Sequence, residues 1–331
     1  MVVDIMNHQV EKHEVHLLVL NDHIDITLWD TIDRRVKLHA IGRKEGSKSY
    51  LPYIKYIATL LWIRPDIIHS HSARLISLLR FSPVKKVYTQ HCSLDITSWN
   101  PTILNGYSNV MAISNFVKNS LNVRGINHVS VVYNSIDIDS IQKKESYQLS
   151  DAFSIVQVGR LFHTIKGQHL LVEAVKILVD NGKNVKLDFI GDGDSMQHLQ
   201  KMVKERGLED VVSFLGTRDR AYIYSHLCSY DMLCHPSLCE GFGLTVAEGM
   251  VAGLPVIVSE NDGPSELVCE GEYGYMCKKG DVKSLADTIQ TIMDNYERAI
   301  EVAQKARMYA SREFSIANMV HKIEDIYIRS L

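Results

Sequence analysis

Short apolar runs rich in valine and isoleucine recur along this chain, and each is followed by a segment whose apolar residues return every three or four positions. Alternation of this kind builds βαβ units, which close into parallel sheets covered by helices. The strand-like runs of the first half are HEVHLLVL, VKLHAIG, DIIHS, KKVYTQ, SNVMAIS and VSVVYN; those of the second are FSIVQVG, VKLDFIG, VVSFLG, DMLCHPS and LPVIVS. Between them lies SIDIDSIQKKESYQLSD, polar and without an apolar period, which reads as the link between two domains. A length of 331 residues suits about two domains. The expected fold is α/β, with two doubly wound Rossmann-like domains. Residues 1–140 form the first, 141–151 the linker and 152–312 the second. Residues 313–331 carry FSIANMVHKIEDIYI, whose helical spacing suits packing back on the N-terminal domain.

The chain opens on MVVDIMNHQVEK, an amphipathic helix with Val2, Val3, Ile5, Met6 and Val10 inward, and passes directly into HEVHLLVL. A doubly wound sheet is normally entered through a central first strand and a glycine-rich turn. Neither precedes this helix. The expectation is that the first strand and glycine-rich loop of the N-terminal domain are missing, with Met1 an internal methionine of a longer reading frame or the gene truncated. Loss of a central strand leaves neighbouring strand edges unpaired.

Net charge is −3, which gives no global pull toward nucleic acid. From Arg34 to Lys86, however, twelve Lys or Arg face only Glu45 and Asp66, a local excess of ten positive charges. That excess suits either a solvated basic face or contact with an anionic surface. Six cysteines without a CxxC pair, and no signal peptide, fit a reduced cytoplasmic protein. The longest apolar run, YIKYIATLLWI, is too short to span a membrane and contains Lys55. No HExxH pair occurs among the fifteen histidines, and His69 and His71, on one strand face, read as satisfied histidines rather than ligands.

Ligands of open α/β sheets sit beyond the carboxyl ends of the strands. Three strand-to-helix turns of the second half carry chemistry. In VGRLFHTIKGQHLLVEA, Arg160 and Lys166 flank a short loop after Gly159; two fixed cations suit a diphosphate, or are simply surface charges. In FIGDGDSMQHLQKMV, Gly191 and Gly193 allow a tight turn, and Asp194 or Ser195 can cap the next helix. In HPSLCEGFGLTVAEGMVAGLPVI, Gly241 and Gly243 let backbone N–H groups at a helix start face a phosphate. Glu240 and Glu248 then flank that seat, and carboxylates accept from sugar hydroxyls. A diphosphate between two hydroxylated groups is a nucleotide sugar. The plainer readings are a dipole-complementing acid for Glu240 and a solvated helix position for Glu248.

These stretches together resemble the retaining glycosyltransferases of the GT-B fold, family four (glycosyl transferases group 1). The resemblance rests on GR…KG (Gly159, Arg160, Lys166, Gly167), FIGDGD, FLG and the HPS…PVI stretch, and extends to DIIHSHS, TQHCSLD, AISN and VYNSID in the first half. It implies two domains facing across a cleft, with Arg160 and Lys166 on the donor diphosphate, Glu240 on the transferred sugar and Glu248 on the ribose. His91, in TQHCS, aligns with the histidine that faces the donor sugar; a packed strand-end histidine is the alternative. Gly159, Gly191, Gly216, Gly241, Phe242, Gly243 and Leu244 would line the donor site. Asn134 falls at the family's Asn-Gly turn, but Ser135 replaces the glycine, so it reads as structural.

The expected function is transfer of a sugar from a nucleotide diphosphate sugar, UDP being the commonest donor in the family, to a saccharide or lipid-linked acceptor of surface polysaccharide biosynthesis. No cofactor or metal is expected, because two cations and a helix N-terminus can stabilise the leaving diphosphate; DGD at 192–194 reads as a turn. Peripheral contact with anionic membrane at its inner face is expected from the basic region and the apolar run, and no contact with nucleic acid. The alternatives are a sugar-nucleotide epimerase of the same fold and a truncated module that binds nucleotide sugar without turnover.

Overall fold

Every paired strand in the structure is parallel. The computed structural model of the chain describes residues 1–24, 26–79, 82–93 and 100–330; Leu94 and Asp95 of TQHCSLD, Arg80 of the basic region and Leu331 lie outside the described residues. Two units are present: Met1–Ile113, Val117–Ser135 and Ile316–Leu331 form one, and Ser114–Phe116 with Ile136–Ser315 the other.

In the first unit, β1 (His16–Asn21) pairs with β2 (Lys37–Arg43), while β3 (Ile67–Ser70), β4 (Lys85–Gln90), β5 (Asn109–Ala112) and β6 (Val129–Val131) make a separate four-stranded sheet. Among the described residues β1 and β3 each have one unpaired edge. The α/β alternation read from the sequence is present, its parallel strands hydrogen-bonded in two groups among the described residues. Its four-stranded sheet is covered on one side by the helices Val2–Gln9 and Ile316–Ser330, where Ile5, Met319, Val320, Ile323 and Ile326 pack on Val87, Met111 and Val132. The helix Leu51–Ile63 packs Tyr56 and Leu60 against Ile41, Ile68 and Leu79.

The second unit holds β7 (Phe153–Val158), β8 (Val185–Ile190), β9 (Val212–Phe214), β10 (Met232–His235), β11 (Val256–Ser259) and β12 (Tyr275–Cys277) in the order β12-β11-β10-β7-β8-β9. Strands β10 and β11 are buried throughout, as expected of central parallel strands covered on both faces. On one face Leu171, Val175 and Leu178 of the helix Gln168–Asp180 and Leu285, Ile289 and Ile292 of the helix Val282–Asp294 share a core with Ile155, Leu187 and Phe189. Each such fully buried side chain contributes about 1.5–3 kcal/mol. β12 is an addition to the strands read from sequence.

Residues 141–151 are no free tether. Lys144, buried, donates from Nζ to the Tyr230 carbonyl (2.7 Å) and lies 3.5 Å from Asp231 Oδ1. Its own N–H reaches Ala252 O (2.7 Å), and the Tyr147 hydroxyl donates to Gly253 O (2.9 Å). Asp231 also accepts from the N–H and hydroxyl of Ser154 (2.9 and 2.7 Å). Removing one member of a buried charge pair strands the other. Lys144→Ala should lower the unfolding free energy of the second unit by about 3 kcal/mol, read from urea denaturation; a loss within that of a surface lysine variant would contradict the strap.

Candidate active site

The order of the second sheet reverses between β7 and β10, its topological switch point, so the loops leaving these two strands flank the natural ligand crevice. From β7 the chain passes through Gly159–Phe162 and one helical turn, His163–Lys166, before Gly167 starts the next helix. Gly167 is left-handed (φ +70°), and a Cβ there would lie 1.9 Å from the Pro236 carbonyl oxygen beyond β10. Only glycine lets the two loops meet. Two buried glutamines fix the β7 loop from beneath: Gln157 donates to Lys166 O (2.8 Å) and Gln168 to Arg160 O (3.0 Å).

Held in this way, Lys166 Nζ pairs with Glu240 Oε2 from the β10 loop. The Glu240 carboxylate also accepts from Gly241 N–H (3.2 Å), and His235 Nε2 stands 3.6 Å from Oε2. Burial by itself would push this carboxyl up; the neighbouring His235 ring and the Lys166 ammonium outweigh it and hold the group at about 2. The Glu240 backbone is anchored too, its N–H donating to Asp262 Oδ1 (2.7 Å), while Asp262 Oδ2 accepts from the Ser237 hydroxyl. Glu240 is thus ionised and fixed by its main chain.

Past Gly241, the helix Leu244–Ala252 begins after Gly243, left-handed at φ +95°. The first N–H groups of any helix lack intrahelical acceptors and carry the positive end of its dipole. Glu248 lies one turn inside this helix, half-buried, near the Tyr224 hydroxyl, to which Arg220 Nε donates (2.7 Å). Burial pushes its carboxyl up to about 7, against the smaller lowering effects of Arg220 and Tyr224.

The remaining sequence candidates fall in several places. Arg160 is exposed and pairs with Asp194 (3.0 Å) from the turn after β8. That turn meets the β7 turn directly: a Cβ on Gly191 would lie 2.1 Å from Gly159 O, and Gly191 N–H donates to Gly216 O (2.9 Å). Neither Asp194 nor Ser195 caps the following helix through its side chain; Asp194 is taken by Arg160, and Ser195 Oγ bonds both the N–H of His163 (3.1 Å) and its Nδ1 (2.8 Å). Phe242 is not available to a ligand through its ring, which is buried edge-on against Phe314 (5.6 Å). Leu244 is partly exposed at the helix start. His91 belongs to the first unit, directly after β4, with Nε2 3.0 Å from His71 Nδ1. Burial, reinforced for His71 by its proximity to His91, lowers both rings and keeps the pair neutral at pH 7. His69 is satisfied by Tyr327 and Thr89 (2.7 Å each).

The family model described as glycosyl transferases group 1 matches residues 139–309, and that of glycosyltransferase family 4 matches residues 1–140. The chain belongs to the glycosyl transferases group 1 family. It is 28% identical over 285 residues to the N-acetyl-alpha-D-glucosaminyl L-malate synthase of Bacillus anthracis, a match covering 81% of this chain and 74% of that protein. With the capsular polysaccharide biosynthesis glycosyltransferase CapM of Staphylococcus aureus it shares 26% identity over 247 residues, 71% of this chain and 62% of that one. The structure of Anabaena Alr3699/HepE, solved with UDP and glucose, superposes with a TM-score of 0.83 over 100% of this chain and 95% of that one, at 22% identity, which establishes the shared GT-B fold. Among the described residues no helix is long and apolar enough to cross a membrane.

Two parts of this group 1 site escaped the sequence reading. The turn after β11, Asp262–Gly263–Pro264, packs so closely that a Cβ on Gly263 would lie 2.4 Å from Gly241 O; an Asp-Gly-Pro run two residues beyond VIVS is the available signal. The other is His235, inside the most informative stretch yet silent until its neighbours are known.

Glu248 gives a pH signature. Its folded pKa is raised, so its contribution to stability is full below about 4.5 and is lost as pH rises through about 7. Glu248→Gln should therefore melt above the wild type at pH 8, with the difference vanishing by pH 5. Parallel profiles for the two proteins would contradict the assignment.

Proposed function

We propose that this chain transfers a sugar from a nucleoside diphosphate sugar, with UDP as the nucleotide, to a saccharide or lipid-linked acceptor in surface polysaccharide assembly, with retention of configuration. The observation that carries this is the Lys166–Glu240 pair at the sheet's switch point, beside the start of the helix Leu244–Ala252 and with Arg160 at the adjoining turn. The UDP and glucose held by HepE and the capsular role named for CapM support the choice of donor and pathway.

In this reading the diphosphate lies over the helix start, where backbone N–H groups and the dipole favour negative charge. Lys166 and Arg160 stabilise it as the glycosidic bond breaks and charge accumulates on the leaving oxygens. Glu240, ionised, accepts from hydroxyls of the transferred sugar, and Glu248 accepts from the ribose. Gly159, Gly191, Gly216, Gly241 and Gly243 let main chain approach the donor, with Leu244 at its edge. His91 is assigned to the transferred sugar on the family resemblance alone. Among the described residues of this site Glu240 is the carboxylate that double displacement would need as nucleophile, and its proposed task on the sugar hydroxyls favours front-face attack instead. The charge of the leaving group is met by these cations and the helix, so the reaction as proposed takes no metal.

The enzyme as proposed is cytoplasmic and works at an anionic membrane surface, and one helix of the first unit supports the membrane contact. On the helix Leu51–Ile63, Leu51, Ile54, Leu61 and Trp62 form an outward row with Leu51 70%, Leu61 71% and Trp62 73% exposed. Tyr50 precedes it, and exposed Lys44, Lys48 and Arg64 flank it. An apolar row rimmed by cations suits the headgroup boundary of an anionic bilayer. The second reading is a module that binds donor without turnover.

Thermal shift with UDP, GDP and ADP tests the donor site. Ligand at about 100 times its dissociation constant stabilises by about 2.7 kcal/mol, and the shift should be selective for UDP and vanish in an Arg160→Ala, Lys166→Ala variant. No shift with any nucleotide in folded protein would overturn the proposal, and acceptor-dependent turnover decides between enzyme and binding module. Co-sedimentation with phosphatidylglycerol vesicles should exceed that with phosphatidylcholine and be lost in Leu61→Glu, Trp62→Glu; equal binding to both lipids would remove the membrane assignment.

A further inference from the structure

Lys166 cannot serve two anions at full strength. In this structure its ammonium is engaged with Glu240. A diphosphate seated over the neighbouring helix start would draw it away and leave Glu240, only 20% exposed, as an ionised carboxylate without a cation. Gly241 N–H already donates to Oε1, and Asp262, itself an acid, accepts from the Glu240 backbone. Arg160 is engaged with Asp194, and Lys279 lies against Asp262 at 3.7 Å. Among the described residues, Lys166 and His235 are the basic side chains in reach of the Glu240 carboxylate.

His235 ends β10, its side chain is 3% exposed, and neither ring nitrogen has a hydrogen-bond partner. Buried polar groups are nearly always paired, so an imidazole with both nitrogens idle beside a reacting group needs a reason. Nε2 stands 3.6 Å from Glu240 Oε2, outside hydrogen-bond range, and a movement of about half an ångström would close it. Lys166 on the same oxygen is what the ring would replace.

We propose that His235 is a positioning residue of the donor site, which takes over Glu240 through a hydrogen bond from its Nε2–H when Lys166 turns to the donor diphosphate. The exchange keeps Glu240 ionised and aimed at the sugar hydroxyls while freeing Lys166 for the leaving group. It rests on the donor-site reading above: in this structure the ring only helps keep Glu240 ionised from 3.6 Å, and the direct hydrogen bond forms when the donor takes Lys166.

Calorimetric titration with UDP tests it on the wild type, His235→Leu, His235→Gln, Glu240→Gln and the His235→Leu, Glu240→Gln double variant. His235→Leu should weaken UDP at least tenfold, His235→Gln should restore most of that loss by supplying an N–H near the position of Nε2, and the leucine substitution should cost less than twofold when residue 240 is already glutamine. Equal losses in both backgrounds, or a glutamine variant no better than leucine, would make His235 a packing residue only. If His235→Leu does not fold, the ¹⁵N resonance of His235 Nε2 decides: it should move on UDP addition in the wild type and stay still in Glu240→Gln, and an unmoved wild-type signal overturns the proposal. Failure of UDP, GDP and ADP alike to bind the wild type would instead remove the donor site itself.

Discussion

The Lys166–Glu240 ion pair links the two strand ends between which the second sheet reverses its order. Its partners are delivered by main-chain geometry. Gly167 brings the β7 loop against Pro236, Asp262 holds the Glu240 backbone, and Gly263 presses the β11 turn onto Gly241. Three loops from three adjacent strands are thereby locked into one surface at the start of the helix Leu244–Ala252. The helix supplies a fixed positive dipole end, and the ion pair supplies a mobile cation whose present partner a stronger anion can displace. Electrostatic preorganisation of this kind requires no charge to be built at the moment of reaction, only redirected.

The sequence made this site legible to the extent that its chemistry is carried by residue type at strand ends. Arg160, Lys166 and Glu240 could be picked out because each follows closely on a buried apolar strand, at the end of the sheet where ligands bind. Their internal partners could not: nothing in the order of residues shows that Asp194 engages Arg160, that Ser195 bonds His163 instead of capping a helix, or that the ring of Phe242 turns into the core against Phe314. Those pairings join positions far apart in the chain and depend on loop geometry that periodicity does not encode.

The fold divides in the same way. Strands β7, β10 and β11 announce themselves as mostly apolar, β-branched-rich runs, buried almost throughout, whereas β12, three residues long and mostly half-buried, offers no pattern to read. Residues 141–151 look like a tether because they are polar, yet the polarity is used inward, with Lys144 and Tyr147 bonding the second unit's backbone. In the first unit the alternation of elements was readable while the pairing was not; β1 and β2 stand apart from the sheet of β3 to β6. The helix Leu51–Ile63 carries apolar residues around most of its circumference, Lys55 and Thr59 apart, so its sequence alone could not show that Tyr56 and Leu60 satisfy the core while Leu61 and Trp62 remain outside.

The most direct measurement is a crystal structure of the chain with UDP bound. The account predicts the diphosphate over the start of the helix Leu244–Ala252, a phosphate oxygen about 3 Å from Lys166 Nζ, and Lys166 withdrawn from Glu240. UDP bound elsewhere, or bound there with the Lys166–Glu240 pair unbroken, would contradict it.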